Sequence, residues 1–274
     1  MVAARLPLRA LGREVTFDGV VEFLARAGYV ARGFLYLSMG AAALLTAAGL
    51  RHDAANGFRV LAEVAAWPLG FVWVTAVAAA LAGFALWRAA QVVLDHDRQG
   101  TRLMALASRA GQAISGLVYG GLALSVFDLL DAVADERHTA RRQAAKLLSV
   151  PGGEAILIIV GGFALACGVG NIVQAFLTDF GKRLGCPDHA LEWCRWTGRI
   201  GYAARGVAFL PLGVFLIEAG LDLDAGQARD FGEALQSLQA QPFGTVVTAL
   251  TATGLIAFGL FAVIEARYRR IPAR

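Results

Sequence analysis

Charged residues and cysteines are scarce in this sequence. Asp, Glu, Lys and Arg make up 17% of its 274 residues, whereas 57% are hydrophobic and the mean hydropathy is +0.58. A soluble domain of this length has little reason to adopt such a balance, so the composition indicates an integral membrane protein. Three cysteines are too few for a disulfide framework. Cys167 falls in an apolar run, and we expect Cys186 and Cys194 to be free thiols.

Catalytic and cofactor-binding motifs are missing as well. The sequence contains no glycine loop for nucleotides, no His-Glu-x-x-His helix and no nucleophile elbow. Cys186, His189 and Cys194, with His96, have the right atoms for a metal site, but their spacing fits no standard zinc pattern. The sequence therefore favours a non-enzymatic protein with no cofactor and no metal.

Long apolar runs are what the chain has in abundance. A helix needs about 20 apolar residues to cross the hydrocarbon core of a bilayer. Six stretches meet this requirement and predict an all-α integral membrane protein with six transmembrane helices. These stretches lie at roughly 29–50, 70–94, 111–131, 153–177, 200–220 and 244–265.

Two short motifs recur three times along these runs. An Arg-x-Gly motif opens every odd-numbered run, and a Pro-x-Gly motif follows 40 or 41 residues later, before the even-numbered run. This periodicity predicts three two-helix repeats in a pseudo-threefold arrangement. A short amphipathic segment before each proline predicts an interfacial helix ahead of spans 2, 4 and 6. The glycines and prolines of the two motifs are Gly28 and Pro68, Gly111 and Pro151, and Gly201 and Pro242.

The repeats define the domain organisation of one membrane domain. Repeat 1 covers 24–97, repeat 2 covers 108–184 and repeat 3 covers 197–271, after an N-terminal segment at 1–23. Small residues recur at helical spacing in the first helix of each repeat, as at Gly33 and Gly40 or Gly206 and Gly213. Such stripes allow close helix contact in lipid, so they predict the faces that pack against the other repeats.

Basic residues are concentrated at one side of the predicted spans. Of 25 Lys and Arg residues, 18 fall in the segments 1–33, 88–109, 182–205 and 267–274. Because basic flanks stay in the cytoplasm, we expect a multi-pass membrane protein with both termini cytoplasmic. No cleavable signal peptide is expected, since the first residues lack a short apolar core. The pI near 9.2 is explained by these basic residues, whose expected neighbour is anionic lipid of the inner leaflet. We expect no nucleic-acid partner.

The chain resembles a bacterial membrane-protein family known as domain of unknown function 1206. The resemblance is carried by the Arg-x-Gly-Tyr-x-Ala-Arg-Gly motif at 26–33 and 199–206 and by Pro-Phe-Gly at 242–244. It covers about residues 24 to 271 and implies six helices arranged as three pairs. The second repeat departs from the motif at Gln112 and Ser115. The resemblance implies this architecture and a location in the bacterial plasma (inner) membrane, and it assigns no activity.

Arginines and carboxyl or amide groups define a candidate site at the cytoplasmic side. A helix rises about 1.5 Å per residue, so a group 23 residues after each proline reaches the depth of the Arg-x-Gly motifs. Arginine binds phosphate and carboxylate bidentately, which suits an anion or a lipid headgroup. Arginines at span ends also simply anchor helices, and that structural interpretation stays open. The residues of this candidate site are Arg26, Arg32, Arg109, Arg199, Arg205, Gln91, Gln174 and Glu265.

A second candidate site lies toward the outer side. Asp128 and Glu218 both stand 17 residues after the glycine of their repeat, so they would reach the same depth. A carboxylate pair facing a cavity can bind cations or relay protons, whereas acidic groups near a span end are commonly just solvated.

Three functions fit these observations. The first, which the absence of catalytic motifs favours, is an accessory or scaffold protein or a lipid-binding factor, with membrane lipids and other membrane proteins as partners. The second is a small transporter or channel for an ion or anionic solute, with its path between the three repeats. The third is a membrane enzyme acting on lipids, in which Glu265 or Asp128 would be the acid or base.

Overall fold

Helices account for most of the architecture. The computed structural model describes residues 8–10, 13–15, 17–50, 63, 65–66, 68–94, 103–131 and 140–269. A short antiparallel hairpin precedes the first helix, with strands β1 (Leu8–Ala10) and β2 (Arg13–Val15). The helices are α1 (Phe17–Ala47), α2 (Gly70–Leu94), α3 (Leu103–Asp131), α4 (Ala140–Leu148), α5 (Gly153–Leu177), α6 (Phe180–Arg183), α7 (Asp188–Leu221), α8 (Phe231–Gln239) and α9 (Gly244–Tyr268).

Five of these helices are long and apolar enough to cross a membrane, which confirms the prediction of a multi-pass helical membrane protein. The predicted third span, 111–131, lies within α3 but is not among the five, so the number six stays a prediction. The five segments are Glu22–Ala47, Gly70–Val93, Gly153–Leu177, Asp188–Leu221 and Gly244–Tyr268.

The six long helices pack side by side in a series whose two outer members, α3 and α5, come from the middle of the sequence. Helix α3 contacts α2, α2 contacts α1, α1 contacts α9, α9 contacts α7, and α7 contacts α5. Within the described residues, α3 and α5 share no comparable interface, so the series stays open between them. The first and last helices therefore lie side by side at its centre, and they run antiparallel because Gly33 approaches Gly259 while Gly40 approaches Ala252.

Glycines allow the closest helix contacts, as the small-residue stripes predict. A Cβ atom on Gly161 of α5 would lie 2.8 Å from the carbonyl oxygen of Gly213 on α7. A Cβ atom on Gly33 of α1 would lie 3.0 Å from the carbonyl oxygen of Gly259 on α9. Each stripe faces a helix assigned to a different predicted repeat, and its predicted packing role is confirmed.

Short helices precede two of the long apolar ones. Helix α4 ends shortly before α5, and α8 ends shortly before α9. Arg141 of α4 forms an ion pair of 3.5 Å with Glu233 of α8. Helix α8 starts with a capping box in which Asp230 and Glu233 satisfy each other's backbone amides. The third predicted interfacial helix falls mostly outside the described residues.

The three Pro-x-Gly segments share one backbone conformation. The middle residue is left-handed in each, with φ of 59° at Leu69, 81° at Gly152 and 60° at Phe243. Only glycine adopts this region without steric cost, so the first and third segments hold a strained residue. The conformation turns the chain into the following helix, as the motif predicts.

Gly152→Ala is expected to lower the free energy of unfolding by about 1 kcal/mol, because a Cβ atom is disfavoured at positive φ. No atom lies within 4 Å of the added Cβ, so backbone strain is the only cost. Gly170→Ala is the control, since it is equally uncrowded and lies inside the helical part of α5. Denaturant unfolding in detergent micelles measures both, and an equal effect of the two substitutions would contradict the strain argument.

Candidate functional site: an arginine cluster between the helices

A buried ion pair joins the first and last helices. Arg32 of α1 donates from Nη2 to Oε2 of Glu265 on α9, and the two residues are 2% and 5% exposed. Arg269 donates from Nη1 to the other carboxylate oxygen, Oε1, at 2.8 Å. A buried charge is tolerated only when it is paired and hydrogen-bonded, so one carboxylate holds two arginines at this end of the bundle.

Aromatic rings surround the Arg32 guanidinium. Its central carbon lies 5.0 Å from the ring centre of Tyr29, 5.5 Å from that of Phe84 and 5.1 Å from that of Phe258. Tyr29, Phe84 and Phe258 are fully buried. The electron-rich faces of such rings attract a cation, an effect that strengthens when water is excluded.

A second arginine also contacts the ring of Phe84. The guanidinium carbon of Arg88 is 4.9 Å from the Phe84 ring centre, and its Nη1 donates to Oε1 of Gln91 at 2.9 Å. Gln91 is almost completely buried. Both residues belong to α2, so this helix contributes a cation and the amide that fixes it.

A third arginine lies against Phe258. The guanidinium carbon of Arg205 on α7 is 5.0 Å from that ring centre, 5.1 Å from Phe209 and 5.5 Å from Tyr36. Arg32 and Arg205 thus share one ring of α9, just as Arg32 and Arg88 share Phe84. We call Arg32, Arg88, Arg205 and Glu265, with these two shared rings, the central arginine cluster.

Positive charge exceeds negative charge within the central arginine cluster. In the described part of the chain, Glu265 is the one carboxylate that forms an ion pair with an arginine of the cluster, namely Arg32. Its other partner, Arg269, adds a further positive charge beside the cluster. Arg205 makes ring contacts there, without an ion pair or a hydrogen bond. The Nε atoms of Arg32, Arg88 and Arg205 are buried and have no hydrogen-bond partner. Several N–H donors thus have no acceptor, which is an arrangement suited to an anion.

Four of the sequence-predicted residues meet at or beside this cluster, and the others do not. Arg32, Arg205, Gln91 and Glu265 lie in it or contact it. The remaining candidates occupy separate positions. Arg26 pairs with Glu22 and donates to the carbonyl oxygens of Ala266 and Arg267, Arg199 is exposed beside Trp196, Gln174 is exposed, and Arg109 is half-buried on α3.

Sequence reasoning missed Arg88 and the aromatic surroundings. Arg88 is the one charged residue in the apolar stretch 70–94, and an ionisable group inside a membrane helix marks a functional site by default. That signal was available in the sequence. The positions of Phe84 and Phe258, each 16 residues after a Pro-x-Gly proline, were also there to be compared.

The outer carboxylates remain a separate prediction. Glu218 is exposed near the end of α7. Asp128 belongs to α3, but its side chain lies outside the described residues. The proposed pairing of the two therefore stays a prediction.

The expectation of free thiols at Cys186 and Cys194 stays a prediction. The structure brings their sulfur atoms into contact, while their Cα atoms are 7.3 Å apart, farther than a disulfide normally spans. Local folding brings the two residues together. Leu184 forms an antiparallel bridge with Arg269, and the amide of Gly185 donates to the carbonyl of Tyr268 at 2.8 Å, which turns Cys186 back toward α7. Cys167 is a free thiol.

These observations define a polytopic helical membrane protein with an arginine-rich centre. The chain belongs to the family described as Domain of Unknown Function (DUF1206), which matches residues 27–95 and 200–269, together about half of its length. The chain is also similar to "Uncharacterized protein YxxB" of Bacillus subtilis (strain 168), with 26% identity over 262 residues and 92% of each chain covered. No solved structure matches the chain. The two family matches coincide with the predicted first and third repeats.

Proposed function

We propose that this protein is a non-enzymatic membrane protein that binds an anionic group, a phosphate or a carboxylate, at the central arginine cluster. The observation that carries the proposal is Arg205: its Nε is buried without a hydrogen-bond partner, and its guanidinium has no acidic partner among the described residues. A guanidinium held between helices without a counter-charge is unfavourable, so a bound anion would stabilise it. The shared chemistry of the ligand is an oxyanion, from either a lipid headgroup or a small solute.

The proposed ligand reaches the cluster from one end of the bundle. Arg269 lies just beyond the end of α9, Glu265 and Arg32 follow inward, and Arg205 stands near the middle of α7. This series carries positive charge progressively deeper between the helices. Because electrostatic attraction draws anions along such a path, the arginine end is the proposed entrance.

The proposal includes an orientation and an arrangement. The arginine end faces the cytoplasm of a bacterial cell, which places both termini inside, because basic flanks are retained there. The proposal also includes six spans in three pairs with a pseudo-threefold arrangement. The matching left-handed residues in the three Pro-x-Gly segments support this arrangement. Membrane lipids are the expected neighbours, and contacts with other membrane proteins fit a scaffold role.

Arg205→Ala is expected to weaken oxyanion binding about tenfold or more, because a charged hydrogen bond is worth about 1.5–3 kcal/mol. Two probes distinguish the sources of the oxyanion. Inorganic phosphate is titrated into detergent-purified protein and followed by thermal stability, and phosphatidylglycerol binding is followed by native mass spectrometry. Arg205→Lys should retain part of the binding, because it keeps the charge and loses the fork of donors.

Arg267→Ala is the matched control, since it removes an exposed arginine at the same end of the bundle. Equal binding of both probes by wild type and Arg205→Ala would overturn the proposal. Transport of the same anion is the second candidate function, favoured by the depth of Arg205 within α7. Phosphate flux into proteoliposomes that is lost in Arg205→Ala would establish it, whereas binding without flux would leave a binding protein.

A further inference from the structure

A separate cavity opens where α5 ends and α7 begins. Its volume is about 360 Å³, and it shares no residue with the central arginine cluster. The loop between the two helices and the first turns of α7 form its walls. The lining residues are Phe176, Leu177, Thr178, Asp179, Glu192, Arg195, Trp196 and Arg199.

Charges of both signs line this cavity, which we call the interfacial pocket. Arg195 and Asp179 form an ion pair of 3.4 Å, with both side chains 38% exposed. Arg199 lies with its guanidinium carbon 5.9 Å from the Trp196 ring centre, and Glu192 is exposed. Two cations and two carboxylates therefore surround one space. A single-sign ion would meet repulsion from one of these pairs, whereas a zwitterion would find partners for both of its charges.

The surroundings of the interfacial pocket place it at the edge of the membrane. Phe176 and Leu177, at the end of a membrane-spanning helix, are 74% and 80% exposed. Trp193 and Trp196 are also exposed at this level. Tryptophan favours the depth of lipid headgroups, and apolar side chains exposed beside it face acyl chains.

We propose that the interfacial pocket binds a glycerophospholipid whose headgroup carries a phosphate and a primary ammonium. Arg199 and Arg195 would meet the phosphate, because guanidinium groups recognise phosphate oxygens. Glu192 and Asp179 would meet the ammonium, and the acyl chains would lie along Phe176. The interfacial pocket lies outside the central arginine cluster. The lipid proposed here is therefore a second ligand, and it differs from the oxyanion proposed for the cluster by its ammonium group.

Native mass spectrometry of the full-length protein with equal amounts of phosphatidylethanolamine and phosphatidylglycerol tests the proposal. Wild type is expected to retain phosphatidylethanolamine preferentially. Glu192→Gln should remove that preference and shift the ratio toward phosphatidylglycerol about tenfold, since it removes one partner of the ammonium and leaves both arginines. Arg199→Ala should weaken both lipids. Arg267→Ala is the control, because it removes an exposed charge elsewhere.

Two results would overturn the proposal. One is equal retention of the two lipids by wild type, and the other is an unchanged ratio in Glu192→Gln. The variant Arg205→Ala separates this site from the central arginine cluster. It should leave the amount of retained phosphatidylethanolamine unchanged, whether or not phosphate or phosphatidylglycerol binding at the cluster is lost.

Discussion

Glu265→Gln is expected to lower the free energy of unfolding by about 3–5 kcal/mol, the usual cost of removing one partner from a buried ion pair. The substitution keeps the size of the side chain and removes its charge. Arg32 would then be left 2% exposed beside an uncharged amide. Arg269 would lose the same carboxylate. Denaturant unfolding of the purified protein in micelles measures the loss.

The matched control is Glu22→Gln, which removes a glutamate from the ion pair with Arg26 on the same helix α1. That pair is 2.7 Å long, and its side chains are 34% and 48% exposed, so its loss should cost no more than about 1 kcal/mol. The double variant Arg32→Met/Glu265→Met should recover much of the stability, because an apolar pair needs no charge compensation. Equal effects of Glu265→Gln and Glu22→Gln would show that burial does not govern these interactions.

Gly161→Ala and Gly162→Ala should have opposite effects although they are neighbours in one helix. A Cβ atom on Gly161 would lie 2.8 Å from the carbonyl oxygen of Gly213 and from the amide nitrogen of Ile217, so α5 and α7 must separate. Crowding of this kind costs about 1–3 kcal/mol. Gly162 has no atom within 4 Å of its Cβ position, and alanine there should gain up to about 1 kcal/mol from its higher helix propensity.

The same unfolding measurement compares the two alanine variants. Each serves as the control of the other, because the change in composition is identical. A stabilising Gly161→Ala would mean that the two helices are not in close contact at this point. The same conclusion would follow if Gly162→Ala destabilised the protein as much as Gly161→Ala does. Gly213→Ala, on the opposite helix, should repeat the loss, since its Cβ would lie 2.7 Å from the Gly161 carbonyl oxygen.

Local features of the fold could be predicted because they depend on short-range rules. The small-residue stripes at Gly33 and Gly206 predicted close helix contacts, and the Pro-x-Gly motifs predicted turns into the next helix. The approach of Cys186 to Cys194 could not be predicted in the same way, because it follows a bridge between Leu184 and Arg269 that joins distant parts of the chain.

The sequence predicted which types of residue form the candidate site, but it predicted less well which individual residues meet there. Depth along a helix follows from residue counting, which brought Glu265 to the level of the arginines. The direction around the helix axis decides whether a side chain points inward, and counting from a proline does not give it. Gln91 and Gln174 occupy equivalent sequence positions, yet one is buried beside Arg88 and the other is exposed. Neighbouring helices, which differ between the two places, account for the difference.

The pairing of Arg32 with Glu265 has a consequence for biosynthesis. The two residues are 233 positions apart, so the first helix is made long before its partner carboxylate. At about 5–20 residues per second, Arg32 waits on the order of 10–50 s for Glu265. During that interval its charge must be met by water or by a lipid phosphate at the insertion site. A nascent chain that stops short of the last helix therefore holds an uncompensated cation in its first helix.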